Sequence, residues 1–313
     1  MNNYADRLIE SVKRKANPCV VGLDPRIDQM PNFIKKRLTD ESSEDDICQA
    51  VVRFHRVILD AVAPIVPAVK PQIAFYEQYG LGGIQAFMDT IRMAKKRGLI
   101  VIVDAKRNDI ASTAQAYANA FLGRTRLIST EHPIFDVDCI TVSAFLGRDS
   151  LEPFVKTCVE YGKGIFVLVK TSNPGSVDLQ DLRESESHRP IYTHLARMVA
   201  ELAQEAIGKS GYSSIGAVVG ATFPHQAKEL RSLMPRSIFL VPGYGSQGGT
   251  AEDAAHCFNP DGLGAVVNAS RSITYAFQNS DITEDEYARL VRTKTETMAK
   301  ELTAAIHRRD GRT

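Results

Sequence analysis

A group of charged side chains follows an apolar stretch in the first half of the sequence. Residues 99–103 read Leu-Ile-Val-Ile-Val, and residues 104–113 read Asp-Ala-Lys-Arg-Asn-Asp-Ile-Ala-Ser-Thr. The apolar stretch predicts a buried strand, so Asp104 and Lys106 lie on one face of its end, about 7 Å apart along the strand. Asp109 follows once the strand has ended. Alternating charges at the mouth of a buried strand are costly to desolvate, which favours a chemical role for lysine and aspartate here.

Short apolar runs recur eight times along the chain, with room for a crossover helix between them. Most are continuous rather than alternating, which is typical of parallel strands covered on both faces. Eight such units predict an α/β protein, a single (β/α)8 TIM barrel over residues 1–313. A doubly wound open sheet is the alternative, although no Gly-x-Gly-x-x-Gly follows any run. The predicted strands are Pro18–Leu23, Ala68–Pro71, Leu99–Asp104, Cys139–Ser143, Gly164–Lys170, Ile215–Gly220, Ile238–Val241 and Gly264–Asn268.

Helical periodicity fills the segments between the strands and adds a helix at each end of the chain. Two further segments, 27–47 with its acidic stretch 40–46 and 173–190, look like insertions, and we expect surface loops with some helix. The second follows a strand end, which makes it a candidate lid. The predicted helices include the N-terminal stretch 1–15, Ile84–Lys96, Ile191–Ala206, Ala251–Cys257 and Ile282–Arg309.

Polar residues stand at the ends of most predicted strands. In a barrel of this kind the carboxyl ends of the strands meet at one face, so residues far apart in sequence converge there. Each residue alone is ordinary for a turn or an exposed strand end, and their joint placement is what indicates a site. These residues are Asp24, Lys70, Asp104, Lys106, Asp109, the stretch 170–172, the stretch 242–249 and the stretch 268–271.

The last two strand ends predict a phosphate site. Four glycines lie within Gly243–Gly249, where a backbone of this freedom can present N–H groups to an anion. Arg271 follows the eighth strand and can clamp a phosphate with two hydrogen bonds. The loops after strands 7 and 8 are where barrels commonly bind phosphate, so the ligand is expected to be a phosphorylated small molecule.

The composition argues against several other classes of protein. A formal net charge of +1 provides no field for nucleic acid or an anionic membrane, and no apolar run is long enough to span a bilayer. The N-terminal stretch reads as an amphipathic helix and not as a signal peptide. The five widely spaced cysteines fit a reducing cytoplasm. Neither the histidines nor the cysteines show metal-ligand spacing, so no metal is predicted.

At these positions the sequence resembles the orotidine 5′-phosphate decarboxylase family. Residues 104–113 resemble its D-x-K-x-x-D-I-x-x-T signature. The resemblance covers roughly residues 18–275, and the two insertions are similar to those of the longer bacterial branch of the family. The other similar segments are 21–25, 69–72, the serine-containing loop 171–175, the glycine-rich loop 241–249 and the arginine segment 270–273.

The resemblance implies cofactor-free decarboxylation of orotidine 5′-phosphate to UMP, the last step of de novo UMP synthesis, by a cytoplasmic homodimer. It implies a catalytic tetrad of Lys70, Asp104, Lys106 and Asp109, with Lys106 as proton donor. Asp109, Ile110 and Thr113 would come from the neighbouring subunit. The other implied contacts are Asp24 and Lys70 to the ribose, Ser172 and Pro242 to the pyrimidine, and Gln247, Ser270 and Arg271 to the phosphate. Many relatives have glycine at the position of Ser270. The serine in this sequence still has a backbone N–H group that can bind the phosphate.

Three other functions remain open at the level of sequence. A Mg²⁺-dependent sugar-phosphate decarboxylase or aldolase-like synthase on the same scaffold also uses D-x-K-x-x-D. A Schiff-base aldolase would use Lys70, Lys106 or Lys170, although two flanking carboxylates make Lys106 a poor neutral amine. The third alternative is a nucleotide-binding barrel that has lost catalysis.

Overall fold

Eight parallel strands close into a barrel in the order β1-β10-β9-β8-β7-β6-β3-β2, which confirms the predicted TIM barrel. The structure is a computed structural model and describes residues 3–309. Two short antiparallel strands, β4 and β5, form a separate hairpin between β3 and β6. The strands are β1 (Cys19–Leu23), β2 (Ala68–Pro71), β3 (Ile100–Arg107), β4 (Thr125–Leu127), β5 (Thr130–His132), β6 (Cys139–Val142), β7 (Gly164–Lys170), β8 (Ser213–Val219), β9 (Ser237–Val241) and β10 (Ala265–Ala269).

Helices surround the barrel and connect its strands. Single 3₁₀ turns lie at Ile27–Gln29, Pro174–Ser176 and Ala203–Ala206. The α-helices are α1 (Tyr4–Lys15), α2 (Asn32–Lys35), α3 (Glu44–Val62), α4 (Ala74–Glu77), α5 (Gly80–Lys96), α6 (Ala111–Phe121), α7 (Glu152–Tyr161), α8 (Val177–Gln180), α9 (Ile191–Leu202), α10 (Pro224–Leu233), α11 (Ala251–Ala255), α12 (Arg271–Thr274) and α13 (Glu284–Arg309).

The buried residues form two hydrophobic clusters. The larger one lies between the outer face of the strands and the surrounding helices. The smaller one fills the barrel interior and includes α1, whose Tyr4 ring packs edge-on against Phe166 of β7 with centroids 6.3 Å apart. Because α1 packs on this inner cluster, the barrel is filled from its amino-terminal side, and its carboxyl-terminal side is left for a site.

The predicted elements are found with shifted ends. β3 runs three residues beyond its predicted end at Asp104, to Arg107, and the third predicted helix, Ile191–Ala206, ends as α-helix at Leu202 and continues as a 3₁₀ turn. The β4–β5 hairpin was not predicted, because its strands are three residues long and largely exposed. Of the predicted N-terminal helix, residues 1 and 2 lie outside the described residues.

Both insertions contain short helical segments, as expected. The acidic stretch 40–46 runs into the first turn of α3, where Ser43 and Asp46 form a reciprocal capping box. The five cysteines are buried free thiols. Within residues 3–309, every helix is too short or too polar to cross a bilayer.

Candidate active site

The end of β3 is irregular, and this irregularity places Lys106. The pairing of β3 with β6 shifts register between Val103 and Arg107, and Lys106 has a φ of 50°, in the left-handed region. Such a conformation costs about 1–3 kcal/mol in a residue with a side chain, so it is retained where the surroundings determine it. Lys106 Nζ bonds Asp104 Oδ1 at 2.6 Å. The regular strand end expected from the sequence is therefore wrong in detail, although the two side chains still share one side.

Asp104 is the centre of a network of charge-assisted hydrogen bonds. Its Oδ1 accepts from Lys106 Nζ and, at 2.9 Å, from Thr141 Oγ1, while its Oδ2 accepts from Lys70 Nζ at 3.1 Å. Thr141 Oγ1 also accepts the backbone N–H groups of Ala105 and Lys106, at 3.0 and 2.9 Å. One β6 hydroxyl therefore holds both the carboxylate and the irregular backbone of β3.

The charges of this network stabilise one another. Burial alone would raise the pKa of the Asp104 carboxyl, but Lys70 and Lys106, with the hydrogen bonds of Lys106 and Thr141, hold that pKa well below its usual range. Burial would likewise lower the pKa of the Lys70 ammonium, but the Asp104 and Asp24 carboxylates outweigh it, and the net shift is upward. At neutral pH the site therefore presents an ionised carboxylate between two ammonium groups.

A cavity of about 500 Å³ lies at the carboxyl-terminal side of the barrel, and we call it the central cavity. Its lining includes Val218 and Leu240 of the inner hydrophobic cluster and Leu168, which packs against that cluster, so the cavity sits directly on the filled barrel interior. Eight of the predicted site residues line it: Asp24, Lys70, Asp104, Lys106, Ser172, Pro242, Gln247 and Ser270.

Two acceptor atoms in the central cavity have no protein partner among residues 3–309. They are Asp24 Oδ1, after β1, and Asn268 Oδ1, on β10, and both are buried. A buried acceptor without a donor costs free energy, so such atoms are expected where a ligand or water supplies the donor. Ligand hydroxyl groups would satisfy both.

The loops after β7 and β9 meet at the mouth of the central cavity. Ser172 Oγ donates to Gln247 Oε1 at 2.7 Å. Ser172 also lies against two glycines: a Cβ on Gly220 would be 2.8 Å from Ser172 Cα, and Gly243, with a φ of 98°, has the left-handed conformation that glycine adopts without strain. Glycine at 220 is therefore required for the close approach of the Ser172 backbone.

Arg271 lies beside the central cavity and not in its lining. It lines an adjoining cavity of about 750 Å³ that shares Ser172 and Gln247 with the central one. Within residues 3–309, no hydrogen bond or ion pair holds the exposed Arg271 guanidinium. The free cation is therefore available at the end of the site where the sequence predicts phosphate.

Besides Arg271, three predicted site residues do not line the central cavity of their own chain. Asp109, Ile110 and Thr113 occupy the loop after β3 and the start of α6, and none of them lines the central cavity. Asp109 Oδ1 accepts only the neighbouring Ile110 N–H among residues 3–309, at 2.8 Å. Ile110 and Thr113 are exposed.

The sequence reasoning missed Thr141 as a site residue. A threonine inside the run Cys139–Ser143 looks like any β-branched strand residue, and only its position across from the irregular end of β3 gives it a role. Phe75 and Gln180 also line the cavity and were not predicted, whereas Gln72, Thr171 and Asn173 lie in segments that the sequence singled out without giving them a role of their own. Within the described part of the chain, no group of three or more His, Cys, Asp or Glu side chains is placed to bind a metal.

Comparison with known proteins gives a consistent assignment. Residues 40–281 match the family described as "Orotidine 5'-phosphate decarboxylase / HUMPS family". The orotidine 5'-phosphate decarboxylase of Rhodopirellula baltica is 45% identical over 306 residues, which cover 96% of this chain and 99% of that protein. That of Caldicellulosiruptor bescii is 43% identical over 292 residues, or 92% and 95% of the two chains.

A solved structure supports the same assignment. The OMP decarboxylase of Leishmania donovani superposes with a TM-score of 0.70 at 30% identity, covering 97% of this chain and 98% of that one. Sequence and fold are thus similar to these decarboxylases over nearly the whole length of both partners. The chain therefore belongs to the orotidine 5′-phosphate decarboxylase family.

Proposed function

We propose that the protein decarboxylates orotidine 5′-phosphate (OMP) to UMP and CO2 in the central cavity. The reaction needs no cofactor and is the last step of de novo UMP synthesis. Family membership supports the overall reaction and its place in pyrimidine biosynthesis. The observation that carries the proposal is the Lys70–Asp104–Lys106 network, set in a cavity that shares Ser172 and Gln247 with the adjoining cavity lined by Arg271.

Lys106 is the proposed electrostatic catalyst and proton donor. When the C6–carboxylate bond breaks, CO2 leaves and the electron pair stays on C6 in the ring plane, where conjugation cannot delocalise it. An ammonium about 4 Å away stabilises such a charge by roughly 4 kcal/mol at an effective dielectric constant of about 20. Lys106 then transfers a proton to C6, which gives UMP, and regains a proton from water.

Asp104 has two roles in this scheme. Its ionised carboxylate holds the Lys106 ammonium in place through the 2.6 Å bond. It also lies where the substrate carboxylate would bind, so its repulsion of that group is relieved as CO2 departs. Lys70, bonded to the other Asp104 oxygen, limits the cost of holding that carboxylate in the cavity.

The remaining contacts orient the substrate. Asp24, with its unpartnered buried oxygen, and Lys70 would hold ribose hydroxyl groups. Ser172 and Pro242 would contact the pyrimidine, and Gln247, Arg271 and the backbone N–H of Ser270 would bind the phosphate. Phosphate binding far from C6 can supply free energy for closing the loop 244–249 and for orienting the ring.

The second copy of the chain is part of the proposal. Asp109, Ile110 and Thr113 do not line the cavity of their own chain, and exposed apolar side chains recur in the stretch of chain from residue 110 to residue 146. A homodimer that buries these apolar side chains would bring Asp109, Ile110 and Thr113 to the partner's cavity. The exposed large apolar side chains between residues 110 and 146 are Ile110, Leu127, Ile128, Ile134, Phe145 and Leu146.

The test is turnover of OMP, followed by the loss of orotate absorbance, by the wild-type protein and by Lys106→Ala. We expect rapid turnover by the wild type and none by the variant, while the variant still binds UMP. Activity should be unchanged by a chelator, whereas a Mg²⁺-dependent synthase would lose it. Orotidine without phosphate should lose most of kcat/KM. Turnover by Lys106→Ala at the wild-type rate would refute the role of Lys106.

A further inference from the structure

Lys170 is a fully buried lysine at the end of β7 that the proposed mechanism does not use. Its side chain is 0% exposed, and it does not line the central cavity. By strict alternation it would point into the barrel mouth like Leu168, two residues earlier. The pairing of β7 with β8 shifts register between these two residues, and such an irregularity redirects a side chain. The Lys170 side chain therefore points away from the cavity and into the protein that surrounds it.

The Lys170 ammonium binds the segment that follows β7. Its Nζ donates to Asp181 Oδ1 at 2.7 Å and to Ser176 Oγ at 3.1 Å. It also lies 4.3 Å from the centre of the Phe223 ring and 5.8 Å from that of Tyr192. With these partners the amine is occupied and shielded, which also argues against the Schiff-base role considered for Lys170.

The same segment returns to the cavity wall through Gln180, next to Asp181. Gln180 Oε1 accepts the backbone N–H of Thr171 at 3.0 Å, and its Nε2 donates to Thr171 Oγ1 at 2.9 Å. Thr171 Oγ1 donates to Asn173 Oδ1 at 2.7 Å. Ser172 lies between these two residues and is packed against Gly220 on its other side. The position of Ser172 therefore depends on where the segment 174–181 is held.

Fold stability alone does not explain an ammonium at this position. Replacing a buried ion pair by apolar side chains of similar volume often leaves a protein no less stable, and in some proteins a buried polar or ionic group instead specifies one arrangement of the chain. Lys170 selects the arrangement in which 174–181 lies against the end of β7.

We propose that Lys170 is a positioning residue, whose bonds to Asp181 and Ser176 hold residues 174–181 in place and thereby set Ser172 at the mouth of the substrate cavity. The inference rests on the proposed function, because the position of Ser172 matters only if the cavity binds OMP. Lys170 itself touches no reacting atom.

The test compares Lys170→Met with Lys163→Met. Lys163 is a matched control, because it precedes the other end of β7 and bonds Asp136 Oδ1 at 2.7 Å and the Val137 carbonyl at 2.8 Å. Three readouts are taken: melting temperature, amide hydrogen exchange, and kcat/KM for OMP. We expect Lys170→Met to fold, to exchange faster over residues 171–181, and to lose about 10- to 100-fold in kcat/KM, since small misplacements of a binding group cost this much. Lys163→Met should show neither change.

A double variant separates positioning from a general weakening of the fold. If Lys170 acts through Ser172, then Lys170→Met combined with Ser172→Ala should lose no more kcat/KM than the more damaging single change. Losses that multiply, an equal loss in Lys163→Met, or unchanged kcat/KM in Lys170→Met would overturn the inference. If wild-type protein does not turn over OMP, the proposed function fails. The amide hydrogen exchange of Lys170→Met then tests the inference by itself. Unchanged exchange over residues 171–181 would show that Lys170 does not hold this segment in place.

Discussion

At the scale of single residues, Asp104 shows how one carboxylate is made useful by its neighbours. It is ionised because Lys70, Lys106 and Thr141 all donate to it. The sequence could predict Asp104, Lys106 and their proximity, because both follow directly from an apolar run that marks a buried strand. It could not predict Thr141, since nothing in the identity of a strand threonine tells which backbone it will meet across the sheet.

Thr141→Val should impair catalysis more than binding. Valine keeps the shape of threonine but removes the acceptor of two backbone N–H groups and one donor to Asp104. Each buried polar group left without a partner costs about 1–3 kcal/mol. We expect kcat for OMP to fall at least about tenfold, with a smaller change in KM, because the ammonium of Lys106 loses its fixed position.

Thr141→Ser is the control for this prediction. It retains the hydroxyl and should keep kcat within a few-fold of wild type. Steady-state kinetics of the two variants at saturating OMP distinguishes the hydroxyl from the methyl group. Equal kcat values in the valine and serine variants would show that the hydroxyl network does not matter.

At the scale of elements, the barrel was predictable and the irregular ends of its strands were not. Continuous apolar runs mark the strands because both faces are covered, as in β6 and β8. The register shifts in β3 and β7 arise from pairing with neighbouring strands, which leaves no local signal. These two irregularities set the directions of the Lys106 and Lys170 side chains. The parts of the fold that are hardest to predict from sequence therefore position the proposed proton donor and the proposed positioning residue.

The packing of α3, α4 and α5 predicts a pH dependence of stability. His55 of α3 is fully buried, and its Nδ1 lies 3.1 Å from Thr90 Oγ1 and 3.3 Å from Tyr76 OH. Tyr76 OH also donates to the carbonyl of Leu23, next to Asp24. Burial lowers the pKa of His55 to about 3. His55 therefore connects α3 to α4 and α5 through its contacts with Tyr76 and Thr90, and it stays neutral in the folded protein.

The sign of the effect follows from the direction of this shift. Unfolded histidine titrates near pH 6.5, so below that pH the unfolded chain takes up a proton that folded His55 refuses. Above about pH 6.5 the titration of His55 does not lower the free energy of unfolding. Below that pH the free energy of unfolding falls by about 1.4 kcal/mol per pH unit, until the pKa of folded His55 is reached. Urea unfolding of wild type and His55→Gln between pH 7 and 5 measures the difference in slope. The exposed His132→Gln should keep the wild-type slope, and parallel wild-type and His55→Gln curves would contradict the prediction.

At the scale of the whole molecule, large apolar side chains are exposed in the same stretch of chain, residues 109–146, that carries the residues proposed to serve a second subunit. Asp109 lies outside its own central cavity, and Ile128, at the tip of the β4–β5 hairpin, is 99% exposed with a left-handed φ of 49°. Phe145, in the loop after β6, is 82% exposed. An exposed, strained, β-branched residue is rare, and burial against a second copy would account for it.

Ile128→Asp should therefore abolish dimer formation. A carboxylate in the middle of an apolar interface would be buried without a partner, which such an interface does not tolerate. Sedimentation at micromolar concentration should show a dimer for wild type and a monomer for the variant, with loss of OMP turnover. Leu81→Asp, a change at an exposed apolar residue at the start of α5, is the control and should remain dimeric and active. A dimeric, active Ile128→Asp protein would place the interface elsewhere.

Mixing two inactive variants tests whether the site is shared between subunits. Lys106→Ala and Asp109→Ala each remove one member of every site in their own homodimers. In a mixed dimer both defects fall in one site if Asp109 serves the partner, which leaves the other site intact. After unfolding and refolding together in equal amounts, half of the dimers are mixed, so about a quarter of wild-type activity should return. If Asp109 served its own chain, every site would keep one defect and the mixture would stay as inactive as its components.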